Sequence, residues 1–182
     1  MCIRDRSKNR GKIFAMHACE GRREDVERIL SLEPDFLVHM THAEEDDLRM
    51  VAEHDIPVVV CPRSNLVTGA GIPPLKEMCS IGIRVGLGTD NVMINSPDMF
   101  REMEFVSKLF LHDDELTLRM ATEIGAEILG ERCGIEKGAP ANMVVLSDRG
   151  SLRWVSDVVR GVVRRGGREE IKAVIMGGDL IA

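Results

Sequence analysis

Apolar residues come in short bursts between longer helical-looking stretches. Ile13–Met16, Phe36–Val38, Ile56–Val60 and Ile83–Leu87 are runs too short for helices and apolar on both sides of any strand they form. Between them lie segments with helical spacing. Arg22–Leu32 places Val26, Ile29 and Leu30 on one stripe and is closed by Pro34. Ala43–Glu53 is acidic in its first turn, where the helix dipole favours negative charge. A short helix is predicted over Leu75–Ser80, after the Gly/Pro-rich loop "NLVTGAGIPP". The strand-like runs end at positions 17, 39, 61 and 89, hence intervals of 22, 22 and 28 residues. Strands and helices alternating at that spacing predict parallel βα units covered on both faces.

Two more helices are predicted over Pro97–Phe110 and Asp113–Leu129, with Asp113 as N-cap of the second. His112 between them reads as a cap or surface residue. Beyond Gly130 the texture changes. Met143–Leu146, Val158–Val163 and Ala173–Met176 read as short β segments, and "IMGGDLIA" reads as a hairpin turning on Gly177-Gly178. The expected division is a leader over 1–10, non-native or disordered, a βα region over 11–130 and a β segment over 131–182. The polar opening "MCIRDRSKNRGK" leads into what reads as the middle of a fold, so the native chain is expected to continue upstream.

The 182 residues are 44% hydrophobic, enough for a packed core. A net charge of −6 argues against nucleic-acid and anionic-membrane partners, which require a basic face. The arginines of "RWVSDVVRGVVRRGGR" are interleaved with acidic and apolar residues and read as a solvated face. Five cysteines without a C-x-x-C pair read as reduced thiols, with Cys19 and Cys61 as small buried hydrophobes, and a cytoplasmic location is expected.

Chemistry-bearing residues fall at the strand ends. His17, His39 and Asp90 each follow an apolar run, Glu20 lies three residues past His17, and Cys61-Pro62-Arg63-Ser64-Asn65 follows the third run. Functional groups of βα barrels sit at the C-terminal ends of the strands. His and Asp are ligand types that zinc and similar divalent cations accept. His42 and His54, on or beside a helix, read as solvated.

In order, "HACE", "LVHMTH", "CPRSNLVTGAGIPPL" and "GLGTDN" resemble the metal-dependent amidohydrolase superfamily, in the branch of cytosine, guanine and adenosylhomocysteine/methylthioadenosine deaminases and triazine hydrolases. "ATEIGAEILG" with "GIEKGAPANMVVL" is similar to that branch's return from barrel to small β domain. The resemblance spans about residues 11–182. It implies an α/β fold: the C-terminal half of a (β/α)8 TIM barrel, strands five to eight, followed by part of a small β-sandwich domain. It also implies His17 and Asp90 as ligands of one divalent metal ion, zinc first and iron or manganese next. Glu20 is then the acid that protonates a ring nitrogen, His39 the contact to water or substrate, and Asp90 also the general base. Ser64 and Asn65 are expected to bind substrate. The family's H-x-H does not occur in these residues, so strands one to four are expected upstream and the chain alone is expected to be inactive. Asn142 stands where that branch usually has an acid.

The implied reaction is deamination of an amino-substituted N-heterocycle, such as a purine or pyrimidine base or nucleoside, through a metal-bound water. The expected partner is a small heterocyclic substrate, with homo-oligomers for the full-length protein. The alternatives are a cyclic-amide hydrolase of imidazolonepropionase or dihydroorotase type, a chlorohydrolase, or a non-catalytic half-barrel. A phosphate-binding barrel enzyme would need backbone N–H donors in "TGAGIPP", where the prolines remove them.

Overall fold

The computed structural model describes residues 3–182. Two compact units divide them, Met1–Pro97 and Asp98–Ala182.

The first unit is built on four parallel strands in sequential order. They are β1 (Ala15–Ala18), β2 (Phe36–His39), β3 (Val58–Val60) and β4 (Val85–Leu87), all within two residues of the positions read from the apolar runs. Helices α2 (Val26–Leu30), α3 (Glu45–Glu53), α4 (Pro62–Thr68) and α5 (Leu75–Ser80) connect them. Leu37, Val58, Val60 and Val85 of the sheet and Val26, Leu30, Leu48, Val51, Leu75 and Met78 of the helices are buried. Burying each such side chain favours the folded state by about 1.5–3 kcal/mol before entropy is counted. Asp25 caps α2 by accepting from Arg28 N, and Glu44 with Asp47 forms a reciprocal capping box on α3.

The structure departs from the sequence reading in three places here. The stretch expected as a non-native or disordered leader contains helix α1 (Ile3–Lys8), with Arg4 and Lys8 paired to Glu33. The segment after Cys61, read as loop, is helix α4: Pro62 suits a first helical position, and Gly69 ends the helix at φ +77°. The predicted helix 22–32 shrinks to Val26–Leu30 because residues 19–25 are held as a loop.

The second unit begins at α6 (Met99–Val106), capped by Asp98, which accepts from Phe100 N and Arg101 N. A π-helical turn follows over Ser107–Leu111 and stops at His112, whose φ of +57° makes it the expected cap. The predicted helix 113–129 is split at Thr122 (φ −129°, ψ −87°) into α7 (Asp114–Ala121) and α8 (Glu123–Ile128). Asp113 is the N-cap, as its position predicted. Strands β5 (Met143–Leu146), β6 (Ile171–Met176) and β7 (Asp179–Leu180) form one antiparallel sheet. The β6–β7 turn is Gly177-Gly178, both at positive φ.

Val158–Val163, read as β, belongs to helix α9 (Val158–Arg165). Asp157 caps it, and Arg164 and Arg165 suit its C-terminal turn, which together override the β-branched composition. Asp114 ties two helices of this unit together. Its carboxylate, only 10% exposed, accepts from Arg164 Nε at 2.7 Å and Arg160 Nε at 3.3 Å, binding α7 to α9. Burial would raise the pKa of Asp114, but the hydrogen bonds from Arg164, Ser107 and Arg160 outweigh it and hold the carboxyl below its ordinary value. The arginine run is therefore partly committed to this buried acid rather than wholly solvated. Among the described residues no helix is long and apolar enough to cross a membrane.

Candidate functional site

The parallel register carries all four strand ends of the first unit to one edge of its sheet. In an undistorted ladder His17 lies opposite Val38, and His39 opposite Ala18. Side chains alternate along strands, so the two imidazoles would leave on opposite faces. The backbone breaks that alternation. His39 sits at φ +77° and Met40 at φ +52°, the left-handed region that costs an ordinary residue about 1–2 kcal/mol. The result is a pair of rings edge to face with centroids 4.8 Å apart. Cys19 (φ +49°) and Asp90 (φ +58°) are also left-handed. Such local strain concentrates where a structure aims functional groups.

Glu20 stands between the two histidines. Its Oε2 lies 3.6 Å from His17 Nδ1 and 3.6 Å from His39 Nε2. The turn that returns it is fixed by Glu24, which accepts from Cys19 N at 2.7 Å and donates its own N–H to Cys19 Sγ at 3.4 Å. Burial pushes the Cys19 thiol up, against the opposing pull of the Glu24 N–H. Cys19 O accepts from His42 N at 2.8 Å and Ala18 O from Met40 N at 2.9 Å, which stitches the ends of β1 and β2 together.

Ligand atoms of His17, Glu20 and His39 lie within 4.8 Å of one another. Two zinc ligands at about 2.1 Å from the ion stand at most about 4.2 Å apart, so the cluster is slightly wider than a closed site. His39 is fully buried, yet among the described residues its Nε2 has no hydrogen-bond partner. A buried nitrogen without a partner, beside a carboxylate and a second imidazole, suits a cation or the water it holds. The donor set therefore fits a divalent metal.

Asp90 lies at the same sheet edge, past β4, but outside that cluster: its Oδ2 accepts from Ser64 Oγ. Ser64 and Asn65, expected as substrate contacts, are 1% and 0% exposed and already engaged. Asn65 Oδ1 meets His39 Nδ1 at 2.9 Å, and Asn65 Nδ2 donates to Thr41 Oγ1 at 2.8 Å. Burial on the inner side of α4 turns them towards His39, Thr41 and Asp90. Thr41 (7% exposed) was not singled out in the sequence, although it lies inside "LVHMTH". Arg23 was missed as well. It donates to Asp47 from Nε at 2.8 Å and Nη2 at 3.1 Å, tying the Glu20 loop to α3. His42 and His54 are exposed. Cys19 and Cys61 are buried, Cys133 is exposed, and Cys2 lies outside the described residues.

The pattern that defines the Amidohydrolase family matches residues 1–181. An uncharacterized protein of Methanocaldococcus jannaschii is 37% identical over 175 residues, covering 88% of this chain and 46% of that protein. A 5-methylthioadenosine/S-adenosylhomocysteine deaminase of Natronomonas pharaonis is 31% identical over 160 residues, or 82% and 37% of the two chains. A crystal structure of an adenosine deaminase from Xanthomonas campestris with bound zinc superposes with a TM-score of 0.86 at 25% identity, covering 98% of this chain and 47% of that one. The chain thus spans about half the length, or less, of the proteins it matches.

Proposed function

The chain belongs to the amidohydrolase family, and from that premise we propose that it is part of a metal-dependent enzyme removing the amino group of an N-heterocycle, a purine or pyrimidine base or nucleoside. The observation that carries the reading is His39 Nε2, buried and unpartnered beside Glu20 and His17. The deaminases among the similar proteins support the reaction class. We take the four strands as strands five to eight of a (β/α)8 barrel and the three-stranded sheet as part of a small β domain. The parallel order and the half-length coverage support that placement.

In this reading His17 and Asp90 would hold the cation, zinc before iron or manganese. A cation there supplies Lewis acidity and brings the pKa of its water towards neutrality. Asp90, its carboxylate held by Ser64 Oγ, takes the proton of the attacking water. Glu20, with its side chain 37% exposed, can reach a ring nitrogen and protonate it as the amino-bearing carbon is attacked. His39 orients water or substrate through Nε2. Opening a simple amide has less need of an acid at that place, so the His17/Glu20 spacing favours deamination over cyclic-amide hydrolysis.

The test is ammonia release from aminopurines and aminopyrimidines by the zinc-loaded product of the full reading frame. Deamination lowered by about 10²–10⁴-fold in Glu20→Gln with zinc content retained is the expected result. Chloride release or cyclic-amide opening in place of ammonia would overturn the reading.

A further inference from the structure

We propose that Asn65, seated by Thr41, is a positioning residue that fixes the tautomer of His39, leaving the Nε2 lone pair aimed at Glu20 and His17. The inference rests on the site reading above but concerns where one proton sits, whatever the substrate.

A neutral imidazole has one N–H and one bare nitrogen, and its neighbours select which is which. His39 and Asn65 are both fully buried, so water does not decide the choice. The atom facing His39 Nδ1 at 2.9 Å is Asn65 Oδ1, which can only accept. Nδ1 therefore carries the proton and Nε2 is bare. Among the described residues nothing hydrogen-bonds to Nε2, and Glu20 Oε2 lies 3.6 Å from it. A protonated Nε2 would have a carboxylate within reach of only a slight shift. A bare one leaves the space to a cation or a water proton.

Asn65 could do the reverse if its amide turned over. An N–H would then face Nδ1, and the histidine proton would move to Nε2. The amide is held as found by its own N–H, which donates to Thr41 Oγ1 at 2.8 Å. Thr41 is 7% exposed, and its hydroxyl is the partner the structure gives to that N–H. The relay therefore runs Thr41, Asn65, His39. It draws on the loop after β2 and the first turn of α4. The preceding residue of that turn, Ser64, donates to Asp90, so one helical turn holds two of the groups assigned to the reaction. Partners of this outer kind orient an imidazole and set which nitrogen it offers.

The experiment reads the tautomer directly. The full chain is labelled with 15N-histidine, and long-range 1H–15N correlations are recorded at neutral pH without metal. His39 is assigned by the signal missing in His39→Gln. The expected spectrum has Nδ1 protonated and Nε2 bare. Thr41→Val keeps the shape and removes the hydroxyl, and should give a mixture of tautomers with at least a several-fold gain in Nε2–H. Thr41→Ser should restore the wild-type pattern, and Asn65→Ala should shift it furthest. A wild-type proton on Nε2, or an unchanged pattern in Thr41→Val, overturns the proposal. If Asn65→Ala does not fold, the wild-type spectrum and the Thr41 pair still decide. Absence of ammonia release would count against the deaminase reading and leave this one standing.

Discussion

Replacing Asp47 by alanine should destabilise the first unit and loosen the loop that carries Glu20. Asp47 is only 2% exposed and sits at the third position of α3. Its carboxylate accepts from Glu44 N at 2.9 Å, one half of the capping box, and from two Arg23 nitrogens. Losing the cap acceptor costs about 1 kcal/mol. The Arg23 pair adds less, because the guanidinium is half in solvent and water screens it. The expected loss is about 1–2 kcal/mol, or about 2–8 °C in Tm for a chain of this size. The hydrogen bonds from Arg23 hold the Asp47 carboxyl below its ordinary value, against burial and with help from Glu44 N–H. The folded pKa is thus lower than the unfolded one. Its stabilisation is complete above the unfolded value near pH 4 and is lost as pH falls through the folded value. Thermal melts of both proteins from pH 7 to pH 2.5 check this, and the deficit of Asp47→Ala should shrink below about pH 4. A variant melting within 1 °C of wild type at neutral pH, or a deficit that ignores acid, would refute the reasoning.

In the active protein Glu20→Gln should lower the rate by about 10²–10⁴-fold, the usual worth of a positioned general acid, with metal content nearly unchanged. Asp90→Asn should lower both metal content and rate, since under the proposed roles it removes a negative ligand and the base together; metal analysis beside steady-state rates separates the two. Asp114→Ala should cost about 2–3 kcal/mol in urea unfolding of the second unit, because it strips Arg160 and Arg164 of a shared acceptor and leaves buried Ser107 without its own. Since the Asp114 carboxyl is held below its ordinary value, the wild-type advantage at that site should also fade in acid.

The sequence by itself determined the βα rhythm of the first unit. Short apolar runs leave few options but strands buried on both faces, and their parallel order brings every C-terminal end to one edge. The placement of His17, Glu20, His39 and Asp90 at that edge was legible because polar groups at the ends of buried runs are conspicuous. The Gly177-Gly178 hairpin and the Asp113 cap were legible for a similar reason, since their chemistry acts over only a few residues. Tertiary structure decided the rest. Period-two alternation sends His17 and His39 to opposite faces; only left-handed backbone at His39, held by the packed loops around it, brings the rings together. Ser64 and Asn65 read as substrate contacts after the third apolar run; the helix that starts at Pro62 turns them inward onto Asp90 and His39. Val158–Val163 has the composition of a strand, yet the Asp157 cap and the pull of Asp114 on Arg160 and Arg164 make it a helix. Those contacts join residues dozens of positions apart, and local pattern carries no information about partners that distant.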